Sequence, residues 1–227
     1  MGQKKLERFI EINSFTNVWQ HPGNMPGKWH LVFKNDHSVT LELACGKGEY
    51  TVALAKKYPD QNFIGIDIKG NRIWRGAKTA LESGLTNAAF LRIEIDAVDR
   101  YFSVAEVNEI WITFPDPQLR LSKIKKRLTH PKFLRLYRQI LKPGGALHLK
   151  TDSPALYQFT KKVIDMYGLS IVTDYNDVYA VENLHTDLMI KTHYESLDIA
   201  QSSKIFYLKF LLDKELPAEK DAVLKDH

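Results

Sequence analysis

Val39-Thr-Leu-Glu-Leu43 runs without a break into Ala44-Cys-Gly46-Lys-Gly48 and on into Glu49-Tyr-Thr-Val-Ala-Leu-Ala-Lys-Lys-Tyr58. The first five residues, apolar at Val39, Leu41 and Leu43, read as a short strand. The two glycines allow a sharp turn and a close backbone approach. The third segment has helical character, with Pro59 just past its end. A strand, a glycine turn and a helix in this order form the first half of a crossover unit, which needs a parallel partner strand.

The same alternation continues outward. Asn62–Ile68 reads as a strand, Asn71–Glu82 as a helix closed by Gly84, and Ala88–Ile95 and Glu109–Phe114 as strands. Pro131–Leu141 is expected to be a helix, with Pro131 in its first turn and Pro143-Gly144-Gly145 as its stop. Ala146–Lys150 reads as a strand, Pro154–Tyr167 as a helix, and Leu169–Thr173 and Ser203–Leu212 as strands. Residues 1–38, mixed in character, read as an N-terminal arm with a short helix around Leu6–Ile12. Trp19 and Trp29 in that arm suit either packing onto the core or stacking on bases. The expected organisation is arm 1–38, an α/β domain over 39–213 and a polar tail over 214–227. The domain should hold a mostly parallel, doubly wound sheet with helices on both faces.

Such sheets bind ligands beyond the carboxyl ends of their strands. Acids recur there: Glu42, Asp67, Asp96, Asp116 and Asp152 each lie at or just after a strand. A single acid of this kind is as well explained as a helix cap. Five on one edge point to a ligand site. Gly46-Lys-Gly48-Glu-Tyr-Thr51 lacks the third glycine of a dinucleotide fingerprint, which disfavours a nicotinamide dehydrogenase. A Walker-type phosphate loop is also absent from the sequence. Glu42, so close to the glycines, suits a cationic ligand better than a pyrophosphate. Asp67 is spaced to hold ribose hydroxyls, and Asp96 to accept from an adenine amino group. A ribose, an adenine and a positive centre without phosphate describe S-adenosylmethionine, with Glu42, Gly46, Gly48, Asp67 and Asp96 as its candidate contacts.

Thr113-Phe-Pro-Asp-Pro-Gln-Leu-Arg-Leu-Ser-Lys-Ile-Lys-Lys-Arg127 places Asp116 between two prolines and follows it with a cationic run. Arg120, Lys123, Lys125, Lys126 and Arg127 include no acid among them. A solvated face is the plain reading of such a run. Beside a strand-end carboxylate it instead suits chemistry on a polyanion, with Lys123, Lys125, Lys126 and Arg127 as RNA phosphate contacts.

From about Gly27 to Leu212 the chain resembles the tRNA (guanine-N7)-methyltransferase family. The resemblance rests on the glycine loop, Gly65-Ile-Asp67, Ile95-Asp-Ala97, Phe114-Pro-Asp-Pro117 with Lys126-Arg-Leu128, Lys150-Thr-Asp152 and Thr192-His-Tyr-Glu195. It implies a Rossmann-like class I methyltransferase fold and methyl transfer from S-adenosylmethionine to N7 of a guanine in the tRNA variable loop. By motif it makes Asp116 the active-site acid, also beside the cofactor, and Arg120, Asp152, Thr192 and Glu195 substrate contacts. The chain departs from the family at Ala44, where glycine is usual, at Gln118, where Trp is usual, and at Arg120, where Lys is usual. Other readings remain open on the residues alone: a class I methyltransferase on another RNA or a protein, or a catalytically silent RNA-binding module.

The bulk properties agree with this range. The chain has 227 residues, 44% of them hydrophobic, and a net charge of +5. A single cysteine, Cys45, excludes an internal disulfide. The eight histidines show no metal spacing. No apolar run approaches the ~20 residues of a membrane span. The expectation is a cytoplasmic monomer or homodimer that takes tRNA as partner, with neither membrane nor metal.

Overall fold

The computed structural model describes residues 2–193, 195 and 204–226. Its strands are β1 (Val18–Gln20), β2 (Ser38–Leu43), β3 (Gln61–Ile66), β4 (Ala88–Arg92), β5 (Val107–Thr113), β6 (Leu141–Thr151), β7 (Ile171–Tyr175) and β8 (Phe206–Leu211). They form one sheet in the order β1-β4-β3-β2-β5-β6-β8-β7. Every pairing is parallel except those of β8 with β6 and β7. The helices are α1 (Gly2–Glu11), α2 (Trp29–Phe33), α3 (Glu49–Lys57), α4 (Gly70–Glu82), α5 (Pro131–Ile140) and α6 (Pro154–Tyr167).

Alternation along the strands divides the core. Leu41, Leu43, Ile64, Ile66, Ile110, Ile112, Leu147 and Leu149 pack with α5 and α6. Phe63, Phe90 and Trp111 pack with Tyr50, Leu54, Ile73 and Ala77 of α3 and α4 on the opposite face. The sheet is therefore buried on both sides, as the continuous apolar runs require. Both prolines begin helices as expected: Pro131 follows His130, whose Nδ1 accepts from the Lys132 amide at 3.1 Å. Pro154 follows Ser153, whose hydroxyl accepts from the Leu156 amide at 3.3 Å.

Four segments differ from their sequence reading. Residues 1–38 supply the sheet-edge strand β1, and Trp29 is fully buried, stacked on Phe102 with ring centroids 5.4 Å apart. Pro143-Gly144-Gly145 lies inside β6. There it makes a bulge that moves the register from Val107↔Leu141 to Glu109↔Ala146. A Cβ on Gly145 would lie 2.8 Å from the Asn108 carbonyl oxygen, so the bulge needs glycine. The polar tail packs on the domain where it is described: Leu216 and Leu224 are buried, and Asp221 pairs with Arg135 of α5 at 2.6 Å. The strand expected at Ala88–Ile95 ends at Arg92 and passes into a 3-10 turn over Ile95–Arg100. Ser203, the start expected for the last strand, lies outside the described residues.

Candidate active site

The loop between β2 and α3 passes through left-handed backbone at Ala44 (φ 56°), Gly46 (φ 55°) and Gly48 (φ 70°). Asp67, just past β3, holds this loop. Its Oδ2 accepts the Gly46 N–H at 3.0 Å and its Oδ1 the Lys69 N–H at 2.8 Å. Gly48 serves packing: a Cβ there would come within 2.5 Å of Phe90 Cε1. Gly65 and Gly76 abut the same ring, so Phe90 fills the space three missing side chains leave.

Beside this loop opens a cleft of about 450 Å³, with Ala44, Asp67, Asp96, Gln118, Lys126 and Phe133 among its walls. Ile68, Ile93 and Leu128 give it apolar surface. Asp96 is exposed and paired with Lys132 at 2.7 Å. Carboxylates on one wall and apolar side chains between them suit an adenosine, whose hydroxyls and amino group donate and whose ring is flat and apolar. The residues present thus fit S-adenosylmethionine.

Glu42 is placed differently from its expected role as a cofactor contact. It faces α3, only 4% exposed, and accepts from the Thr51 amide (2.8 Å), the Thr51 hydroxyl (2.5 Å) and the Thr113 hydroxyl (2.9 Å). Burial pushes its carboxyl up to about 7, against the lowering effect of these bonds. Glu42 thus ties the first turn of α3 to the end of β5. Cys45 is also buried, and burial, with Glu42 and Asp67 nearby, raises its thiol well above the usual range. A nucleophilic role does not suit it.

Past β5 the chain turns through Phe114 (φ 47°) and Gln118 (φ 48°). Asp116 lies exposed between them and accepts the Gln118 N–H at 3.0 Å, a short turn that orients its carboxylate. Arg120, Lys123, Lys125 and Lys126 are exposed on or beside the 3-10 turn Leu121–Lys126, which buried Ile124 anchors. Gln118 and Lys126 also border the cleft, which places the Pro-Asp-Pro loop and the cationic run at its rim. Arg127 is the exception. It is 6% exposed, donates to the Gln118 carbonyl at 3.3 Å and sits 4.5 Å from the Phe159 ring centre. Burial lowers its pKa. Arg127 is thus a brace for the loop, not the surface phosphate contact expected.

Asp152 is half-buried at the end of β6. Thr192 is buried, and its hydroxyl accepts the Glu195 N–H at 3.1 Å. Glu195 pairs with Lys150 of β6 at 3.1 Å and accepts from the Tyr179 hydroxyl. Lys150 was not singled out as a site residue on sequence, although a lysine inside Leu147-His-Leu149-Lys-Thr151 is unusual for a buried strand. Burial lowers its pKa, and Glu195 opposes the shift. Thr51 and Thr113 likewise enter only through the structure. Among the described residues, no group of three His, Cys, Asp or Glu side chains gathers to hold a metal ion. No described helix is long and apolar enough to cross a membrane.

Comparison with known proteins agrees with this geometry. Residues 36–208 match the family described as "Putative methyltransferase". The tRNA (guanine-N(7)-)-methyltransferase of Christiangramia forsetii is 47% identical over 221 residues, covering 92% of this chain and 99% of its own. That of Bacteroides thetaiotaomicron is 44% identical over 224 residues, covering 95% of this chain and 88% of its own. Among solved structures, the 16S rRNA methyltransferase KamB aligns with a TM-score of 0.61 at 15% identity, covering 84% of this chain and 93% of its own. A 30S ribosomal A1408 methyltransferase from an uncultured bacterium aligns at 0.59 and 19% identity, covering 87% of this chain and 98% of its own. The sheet is thus that of the class I methyltransferases, and the chain belongs to the tRNA (guanine-N7)-methyltransferase family.

Proposed function

We propose that this chain transfers a methyl group from S-adenosylmethionine to N7 of a guanine in the variable loop of tRNA. The observation that carries the reading is the shared wall of the cleft. Asp67 and Asp96 line it from the β3 and β4 side, and Gln118 and Lys126 from the Pro-Asp-Pro and cationic side. A small-molecule site and a polyanion surface meet there.

When bound, S-adenosylmethionine supplies an electrophilic methyl on a sulfonium. Guanine N7 carries an unprotonated lone pair near neutral pH, so this chain needs no general base for the attack. Its residues have to align the reactants, a proximity effect. Asp67 takes the ribose hydroxyls and Asp96 the adenine amino group. Methylation leaves the purine cationic, and Asp116 lies at the rim to stabilise that charge. Asp152 and Thr192 orient the guanine, and Arg120, Lys123, Lys125 and Lys126 hold phosphates without reading sequence. Reaching N7 and the base edge together calls for a guanine out of its stack.

The test is incubation with methyl-labelled cofactor and unmodified tRNA, followed by nucleoside analysis. Label in 7-methylguanosine from the variable loop is expected. Label in another nucleoside, or none, overturns the reading.

A further inference from the structure

Lys150 has 0% exposed surface, yet it is a lysine. Its ammonium donates to the Leu188 carbonyl at 2.8 Å, the Ile190 carbonyl at 3.0 Å and Glu195 Oε2 at 3.1 Å. That is the full donor complement of an ammonium. The rings of Tyr50 and Phe114 lie 5.5 Å from it and that of Tyr179 5.8 Å, which keeps water away. The backbone of the same residue reaches the other way. Its carbonyl accepts the Phe114 N–H at 2.8 Å, at the root of the Pro-Asp-Pro loop. Glu195 then carries the link to Thr192 through the Thr192 hydroxyl and to Tyr179 through the phenol.

We propose that Lys150 is a positioning residue for methyl transfer, a knot whose main chain holds the root of the Asp116 loop and whose ammonium holds Leu188, Ile190 and Glu195. The inference rests on the function proposed above. A buried ion pair is a weak source of net stability, and an apolar side chain of similar size replaces it at little cost. Three directed bonds from one ammonium to three points of one segment instead set geometry. Asp116 and Thr192 come from distant parts of the sequence; Phe114, two residues before Asp116, bonds Lys150 directly, and Thr192 reaches it through Glu195. Small displacements of such groups carry large rate penalties.

The experiment compares wild type, Glu195→Gln, and Lys150→Met combined with Glu195→Gln. The double change removes both charges, so it leaves no orphaned buried carboxylate. Hydrogen exchange of the Leu188 and Ile190 amides reads the knot, with the Phe114 amide as the reference. Calorimetry with S-adenosylmethionine reads the cofactor cleft, which Lys150 does not line. Steady-state methylation of tRNA reads the reaction. Relative to Glu195→Gln, the double variant is expected to bind cofactor within about two-fold, as independent sites do. Its exchange at Leu188 and Ile190 should be faster, while Phe114, whose bond is to the main-chain carbonyl that every variant keeps, should hold; its kcat should be lower by about 10- to 10²-fold, with the change in KM for tRNA the smaller of the two. Unchanged exchange and an unchanged kcat in a cofactor-binding double variant overturn the proposal and leave Lys150 a packing residue. If the double variant does not fold, Lys150→Gln is read instead, its amide keeping some donors; wild-type kcat there overturns the proposal equally. A wild type that leaves tRNA guanine unmethylated defeats the functional reading, and the exchange measurement still decides whether Lys150 joins the two segments.

Discussion

The Asp67 carboxylate accepts the backbone N–H of Gly46 at 3.0 Å, joining the end of β3 to a loop 21 residues earlier in the chain. The acid that faces the cleft is therefore also the acid that shapes its glycine wall. Asp67→Ala removes this bond and the one from Lys69. Hydrogen bonds to a charged group are worth roughly 1.5–3 kcal/mol each. Affinity for S-adenosylmethionine should fall at least about ten-fold in calorimetry, and the melting temperature should fall with it. Unchanged affinity would take Asp67 out of the site.

Asp116→Asn keeps an oxygen to accept the Gln118 N–H and removes only the charge. Single-turnover methylation should drop by roughly 10²–10³, the scale of one lost preorganised electrostatic group. Cofactor affinity and melting temperature should hold. A fully active variant would assign Asp116 to the turn alone.

The cationic run divides into two kinds of residue. Lys125→Ala with Lys126→Ala should reduce the magnitude of the log–log salt slope of tRNA binding by about 0.7–0.9 per lost contact. Arg127→Ala should leave that slope unchanged. It should cost about 1–2 kcal/mol of stability, from the lost ring contact and the unpaired Gln118 carbonyl. Filter binding over a salt series and urea melts separate the two outcomes.

Ala44 stands in left-handed backbone, φ 56°, where the family usually has glycine. That conformation costs an L-residue roughly 1–2 kcal/mol, partly offset by the larger unfolded-state freedom of glycine. Ala44→Gly should therefore raise stability by about 0.5–1 kcal/mol. A lower urea midpoint would show that the methyl group makes compensating contacts in the cleft.

Glu42 binds its proton more tightly in the fold than in the open chain, at about 7 against 4.5. Between these values the native state holds more protons, so its stability falls as pH rises from about 4.5 through about 7. Glu42→Gln keeps the size and an acceptor for Thr51 without the buried charge. Relative to wild type it should gain with rising pH, by up to about 3 kcal/mol above pH 7. Urea midpoints at pH 5 and pH 8 measure the difference; a pH-independent gap would mean that Glu42 ionises at no cost.

Much of the architecture is legible in the chain, because buried parallel strands need continuous apolar runs and the prolines mark helix starts. Pro131 and Pro154 begin helices where their spacing says they should. β1 is not legible: three residues, Val18–Gln20, carry too little period to announce an edge strand. The acids at the strand ends are visible, but not the faces they choose. Glu42 and Thr40 share the face opposite Leu41 and Leu43, which points Glu42 under α3. Arg127 is misread for a similar reason. Nothing in the run marks it out, yet it caps the 3-10 turn in extended backbone and turns inward onto Phe159 and the Gln118 carbonyl while Lys125 and Lys126 stay outside. Thr192 and Glu195 have no signal of their own in composition or period, and only the family resemblance picks them out.

The place of β8 between β6 and β7 bears on how the chain assembles during synthesis. Domains fold from the N-terminus as the chain emerges, at about 5–20 residues per second. β1 through β6 find their partners among themselves, apart from one edge of β6, and with them the glycine loop and Asp67 reach their final arrangement. β7 has no neighbour until residues 206–211 have been made. In the meantime β6 presents Leu147 and Leu149 on a strand with one open edge. The cleft and the cationic run of 120–126 are thus both made before β7 and β8. That interval, when a bare strand edge coexists with a finished cleft, is when the chain is most open to aggregation.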